Sequence, residues 1–152
     1  MPVLSRDMEE VLRRSTASAA ERGHGCATLE HLLLALGESE EGGALLDACA
    51  VDRVRLRAGL EPYLDTAPTT IPGGTELAPT NDDVTRVLRR ASIHCQSAGR
   101  GVVHCENVII SLFSETRSPA VALLREQGMT RLDALQFIVD GIRKTGSAGE
   151  GA

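Results

Sequence analysis

The sequence predicts an all-α protein, built as one eight-helix domain from two four-helix repeats related by a pseudo-twofold axis. Apolar residues make up 42% of the chain and aromatics only 2%. The core must therefore be built from Leu, Val, Ile and Ala, which suits packed helices better than a sheet. Small and apolar residues recur at helical spacing, as at Met8, Val11, Leu12, Ser15 and Ala19. The chain also states one pattern twice. Val11-Leu-Arg-Arg14 returns as Val87-Leu-Arg-Arg90 (87 − 11 = 76), and Thr28-Leu-Glu-His31 aligns with His104-Cys-Glu-Asn107 (104 − 28 = 76). Ala44-Leu-Leu46 returns as Ala122-Leu-Leu124 (122 − 44 = 78), and Arg53 matches Arg131 at that same offset. Anchors in one order, with one two-residue insertion near Thr116–Pro119, describe an internal duplication. A unit of about sixty residues buries too little apolar surface alone, and two stacked copies close one core between them.

Repeat one, about residues 5–64, reads as four helices. The first runs about Arg6–Glu21; the second starts after Thr28 as N-cap, with Glu30 in its first turn where a carboxylate favours the helix dipole. The third spans about Gly43–Cys49, and the fourth starts at Asp52 as N-cap, with Val51 stapled against Leu56. Pro62 is expected to end or kink that helix near Glu61. Residues 65–79, with Pro68, Pro72, Pro79, Gly73 and Gly74, read as a linker without regular structure. Repeat two, about residues 80–143, opens at Thr80-Asn-Asp-Asp83 as a capping box, with Val84, Val87, Leu88 and Ala91 as the apolar stripe. The next helix carries Val108, Ile109 and Leu112. Ser118-Pro119 reads as an N-cap with Pro at the first helical position, and Gly128 as the C′ residue. A last capping box, Thr130-Arg-Leu-Asp133, opens a helix running to about Ile142. Residues 145–152 read as a flexible tail after a domain of residues 1–144.

The function classes narrow by exclusion. A net charge of −5 argues against nucleic-acid binding, and no apolar stretch reaches membrane-spanning length. Cys26, Cys49, Cys95 and Cys105 show no CxxC spacing, and no basic region followed by an apolar run opens the chain, so a reduced, cytoplasmic protein is expected. The P-loop pattern is absent, as are GxSxG, HExxH and an EF-hand loop, so neither an enzyme nor a bound cofactor is expected. His94-Cys95 with His104-Cys105, joined by His24 and Cys26, is the one candidate set of metal ligands. Adjacent helical residues point about 100° apart, however. The plainer reading makes the cysteines core filling and puts the histidines at helix ends or on the surface. Arg86 and Arg90 share one helical face: either a solvated face paired with Asp82 and Asp83, or a patch that accepts a partner's carboxylates. Glu30 and Glu106 read as first-turn charges, or as two equivalent cation-binding spots.

Several stretches carry a family resemblance: TLEHLLLAL from Thr28, Ala48-Cys-Ala-Val-Asp, Arg86-Val-Leu-Arg-Arg-Ala, His94-Cys-Gln-Ser-Ala-Gly-Arg100, Asn107-Val, Phe113-Ser-Glu and Arg131-Leu-Asp. Over about residues 4–144 the chain resembles the N-terminal domains of ClpA-type AAA+ unfoldases. That resemblance implies two four-helix pseudo-repeats and a binding module without catalysis. The implied partners are a ClpS-like adaptor, substrate proteins, and the unfoldase ring of a longer chain. It points to Thr80, Arg86, Arg90, Arg100 and Arg131 for adaptor or substrate contact. The ClpC-type cousins use a glutamate in each repeat to hold phosphoarginine, and Glu30 and Glu106 fall at those positions. A basic-degron reader, or a free-standing homologue that regulates adaptor availability, are the alternatives. The chain departs from the pattern at His104-Cys-Glu-Asn107, at Pro62, and at Val84-Thr-Arg, where an aromatic before Gln-Arg is usual.

Overall fold

The computed structural model describes residues 2–67 and 78–144. Within them lie eight helices: α1 (Arg6–Glu21), α2 (Leu29–Glu38), α3 (Glu40–Ala48), α4 (Arg53–Thr66), α5 (Asp82–Ser97), α6 (Cys105–Leu112), α7 (Pro119–Glu126) and α8 (Arg131–Asp140). Two short strands, β1 (Val3–Leu4) and β2 (Val102–Val103), pair in parallel. The caps follow from residue type. Ser5, Ser39, Asp52, Asn81, Ser118 and Thr130 each accept a first-turn amide through the side chain. α2 and α6 are closed by related boxes: the Thr28 amide donates to His31 Nδ1 at 2.9 Å, and the His104 amide donates to Asn107 Oδ1 at 2.8 Å. Histidine and asparagine thus do one job at matched positions.

One apolar core joins both halves, with Leu32, Leu33, Leu36, Leu45, Leu46, Leu60, Ile109, Leu112 and Leu124 fully buried. Backbone pairings between the halves repeat at the sequence offset. Leu4 pairs with Val103 and Thr80 bridges to Ala27, and 80 − 4 equals 103 − 27, which is 76. The Ser5 amide donates to Val103 O at 2.9 Å, and its match, the Asn81 amide, donates to Ala27 O at 3.0 Å. Each half thereby lends a strand to the segment preceding the second helix of the other.

Several expectations need correction. Pro62 lies inside α4, which continues to Thr66. The helix carries Leu56, Leu60 and Leu64 into the core along one face, and that burial outweighs one missing amide hydrogen bond. Asp65 and Thr66 are therefore helical, not linker. At the far end of the same stretch, Ala78 is buried and donates to Thr16 O, while Pro79 O accepts from the Ala27 amide. Residues 68–77 and the tail 145–152 lie outside the described residues. Asn81, not Thr80, caps α5, because Thr80 is held extended by its bridge to Ala27. α3 begins at Glu40, three residues before the expected start, since Ser39 caps it.

That early start makes Gly42 indispensable. A Cβ there would lie 2.1 Å from Leu36 O and 2.7 Å from Ser39 Oγ. Gly42→Ala must displace backbone, so it is expected to lower stability by about 2 kcal/mol or more in urea unfolding. Gly37→Ala, whose Cβ would meet only Leu46 Cδ1 at 3.7 Å, is the tolerated control.

Candidate docking cleft

A cleft of about 540 Å³ opens where the starts of α2, α5 and α7 converge; its lining includes Thr28, Glu30, Asn81, Arg86, Arg90 and Glu115. α5 presents Arg86 and Arg90 on one face, and a third group holds them there. Glu115, in the turn after α6, has a side chain only 9% exposed. It accepts from Arg86 Nε at 3.0 Å and Nη2 at 2.6 Å, and from Arg90 Nη1 at 3.2 Å. Arg86 also reaches Asp83 at 2.6 Å, and Arg90 reaches Ser111 O at 3.3 Å. The Arg86 hydrogen bonds hold the Glu115 carboxyl below the usual carboxylate range, against its partial burial. Both guanidiniums are thus oriented before any partner arrives. Of the acidic neighbours weighed in the sequence, Asp83 pairs and Asp82 forms no ion pair among the described residues.

Glu30 projects from the first turn of α2 into the same cleft. Burial raises its pKa, partly offset by the Thr28 hydroxyl, its own first-turn amide and the Ala120 amide at the start of α7. The cleft therefore combines a carboxylate with a raised pKa and two fixed cations. The sequence treated these as separate alternatives, and the fold makes them neighbours.

The remaining candidates lie elsewhere. Arg100 and Arg131 line a second cleft of about 380 Å³ with His94, Asn107, Leu135 and Val139. Neither forms an ion pair among the described residues. Thr80 is half-buried beside α5, with its hydroxyl 3.3 Å from that of Thr85. Glu106 is half-buried on α6, where burial raises its pKa. Glu10, not an arginine, stands on α1 at the match of Arg86 (86 − 10 = 76) and pairs with Arg13 and Arg14.

The histidine–cysteine set does not assemble. His94 and Cys95 line the second cleft, whereas Cys105 lies with Asp7 and Glu41, their ligand atoms within 4.8 Å of one another. Those three are engaged with each other and with backbone. His24, just past the end of α1, and His31, in the first turn of α2, are both buried. Each is at most 5% exposed, and His24 Nδ1 lies 2.9 Å from His31 Nε2. Since His31 Nδ1 accepts the Thr28 amide, its Nε2 carries the proton and donates to His24. Sequence reasoning missed this pair, and it missed Glu115 and Glu41. The TLEHLLLAL run contained His31, but no pattern pointed to its partner seven residues upstream.

Comparison with known proteins bears on the family and the fold. Residues 3–127 match the family model of the Clp repeat (R) N-terminal domain. A ClpA homolog protein from Fuscovulum blasticum is 40% identical over 153 residues, covering 99% of this chain but 19% of that protein. The chain thus spans about a fifth of that relative's length. Among solved structures, one from preliminary structural investigations of a malarial protein secretion system aligns with TM-score 0.77 at 17% identity, covering 89% of this chain and 91% of the other. The Hsp104 N-terminal domain from Candida albicans aligns with TM-score 0.75 at 14% identity, covering 91% and 90%. The N-terminal domain of the chaperone ClpD from Arabidopsis thaliana aligns with TM-score 0.64 at 16% identity, covering 89% and 94%. At these identities the structures show a shared fold.

Proposed function

The chain belongs to the Clp repeat N-terminal domain family, and from that premise we propose that it is a non-catalytic docking module of a Clp-type ATP-dependent protease. It binds a ClpS-like adaptor, substrate proteins or both, for delivery to an AAA+ unfoldase ring. The observation that carries this reading is the pre-oriented Arg86–Glu115–Arg90 cluster in an open cleft. Rigid cations at a rim contribute orientation and association rate to a protein contact, and they cost little ordering entropy on binding. Arg100 and Arg131 extend the contact at the second cleft, and Thr80 flanks α5. Reversing a rim charge, as Arg86→Glu, is expected to weaken adaptor binding about tenfold, or about 1.4 kcal/mol, and to flatten its salt dependence. Fluorescence anisotropy of labelled adaptor at two salt concentrations checks this. Unchanged affinity for both Arg86→Glu and Arg90→Glu sinks the patch assignment.

The shared cleft also favours a second reading, a phosphoarginine reader. A phosphoarginine side chain carries a guanidinium for Glu30 and a phosphoryl group for Arg86, Arg90 and the α2 amides. Titration with free phosphoarginine separates the two readings: Glu30→Ala is expected to abolish phosphoarginine binding and to leave adaptor affinity within twofold.

A further inference from the structure

Lys144 is the one lysine of the chain, and it sits where three helix ends meet. At the end of α8 the backbone turns through Gly141, whose φ of 70° is left-handed. The Gly141 and Ile142 amides donate back to Phe137 O at 2.9 Å and Gln136 O at 3.3 Å. Residues 142–144 then run to the ends of two other helices. The Lys144 amide donates at 2.7 Å to Ala48 O, one of the last carbonyls of α3. The Lys144 ammonium donates to Gly128 O, just past α7, and at 2.8 Å to Asp133 Oδ2 in the first turn of α8. The Asp133 side chain is only 16% exposed. Burial alone would raise its pKa, but Lys144 and Thr130 hold it below the ordinary value.

The two corners that Lys144 joins are pseudo-equivalent. Ala50, with φ of 62°, matches Gly128, with φ of 84° (128 − 50 = 78), so one left-handed turn follows both α3 and α7. A first tie between the corners is Gln127, which accepts from the Asp52 amide at 2.8 Å and donates to Asp52 O at 3.1 Å. Lys144 is a second tie, and it stands where the negative ends of two helix dipoles favour a cation. Unlike Asp52 and Gln127, it belongs to neither corner. Its own segment buries little: Ile142 is 51% exposed, and Arg143 lies back over the Phe137 ring, 5.9 Å from its centroid. The contacts of Lys144 therefore carry the attachment, and losing them breaks no helix.

We propose that residues 141–144 are a strap, clasped by the Lys144 ammonium across the seam between the halves, which opens as a local unit about Gly141 while the eight helices stay folded. Clasped, the strap ties the end of α3 to the start of α8 and fixes position 144 on the seam. Open, position 144 swings about Gly141, and the two corners keep the Asp52–Gln127 pair. The device is separate from the docking cleft, which lies at the starts of α2, α5 and α7.

Endoproteinase Lys-C reads the strap directly. It cuts this chain only after Lys144, and it must take the Lys144 side chain into its own pocket, so its rate follows the open population. The domain is expected to be cut about tenfold more slowly, or slower still, than a free peptide of residues 138–150. Asp133→Asn keeps an acceptor for the Thr130 amide but loses the charge, and is expected to be cut about tenfold faster than wild type. Because local opening exposes little surface, the wild-type rate should stay nearly constant in urea below the unfolding transition. Cleavage of the wild type as fast as the peptide, or an equal rate for Asp133→Asn, overturns the clasp. A rate that climbs with urea in step with global unfolding overturns the local opening. Should Asp133→Asn lose its fold, Lys144→Met carries the test through hydrogen exchange, with protection of the amide at position 144 expected to fall about tenfold. Unchanged protection there overturns the clasp as well.

Discussion

Replacing His31 by leucine is expected to lower folding stability by about 3 kcal/mol at pH 7, the largest effect of any single polar side chain here. Two groups lose their partners at once: the half-buried Thr28 amide at the N-cap of α2, and the buried His24 Nδ1. Each buried group left unsatisfied costs about 1–3 kcal/mol. The same residue makes the wild type acid-sensitive. Burial lowers the His31 pKa to about 4, with His24 and Arg22 adding to the shift. Between that value and the unfolded histidine value near 6.5, the unfolded chain binds the extra proton, so stability rises with pH. The His31 contribution is complete above about pH 6.5 and is lost as pH falls toward 4, roughly 2 kcal/mol of it by pH 5. Urea unfolding at pH 7 and pH 5 should show that loss in the wild type and much less of it in His31→Leu. His31→Asn supplies the cap that Asn107 supplies in the other half, and should recover part of the loss while leaving His24 unpaired.

Replacing Glu115 by alanine is expected to weaken adaptor binding about tenfold, as much as reversing an arginine, although Glu115 itself is nearly inaccessible. Its two oxygens hold Arg86 and Arg90 together. Without it the two cations repel each other, and their long side chains regain rotamer freedom that binding must then remove. Stability should fall by about 1–2 kcal/mol from the lost charge-assisted hydrogen bonds, short of what a fully buried pair would lose, since Arg86 is half-exposed. Glu115→Gln, which keeps the shape and not the charge, should fall between the two. Calorimetry of adaptor binding by the three proteins orders them; equal affinities would show that pre-orientation contributes nothing.

The eight helices were legible because helical periodicity, polar N-caps and the repeat offset agreed at nearly every start. The failures come from tertiary contacts, some between the halves and some within one half, as for His24 with His31 and Glu115 with Arg86. Thr80 has the residue type of an N-cap, but its backbone pairs with Ala27 of the other half. Pro62 has the residue type of a terminator, but burial of Leu56, Leu60 and Leu64 along one face carries the helix past it. Of the site, Arg86, Arg90 and Glu30 were named from spacing and resemblance, yet their meeting in one cleft could not be read from the sequence, and neither could the separation of Arg100 and Arg131. Glu115 and Glu41 act on residues 25 or more positions away, 63 or more for the His104 and Cys105 contacts. No local pattern signals such a role.

The docking account is tested most directly by calorimetric titration of this domain with the ClpS adaptor of the same organism. It predicts one adaptor per chain at micromolar affinity or tighter, about −8 kcal/mol, with no requirement for nucleotide. An absence of binding heat at two temperatures would contradict it.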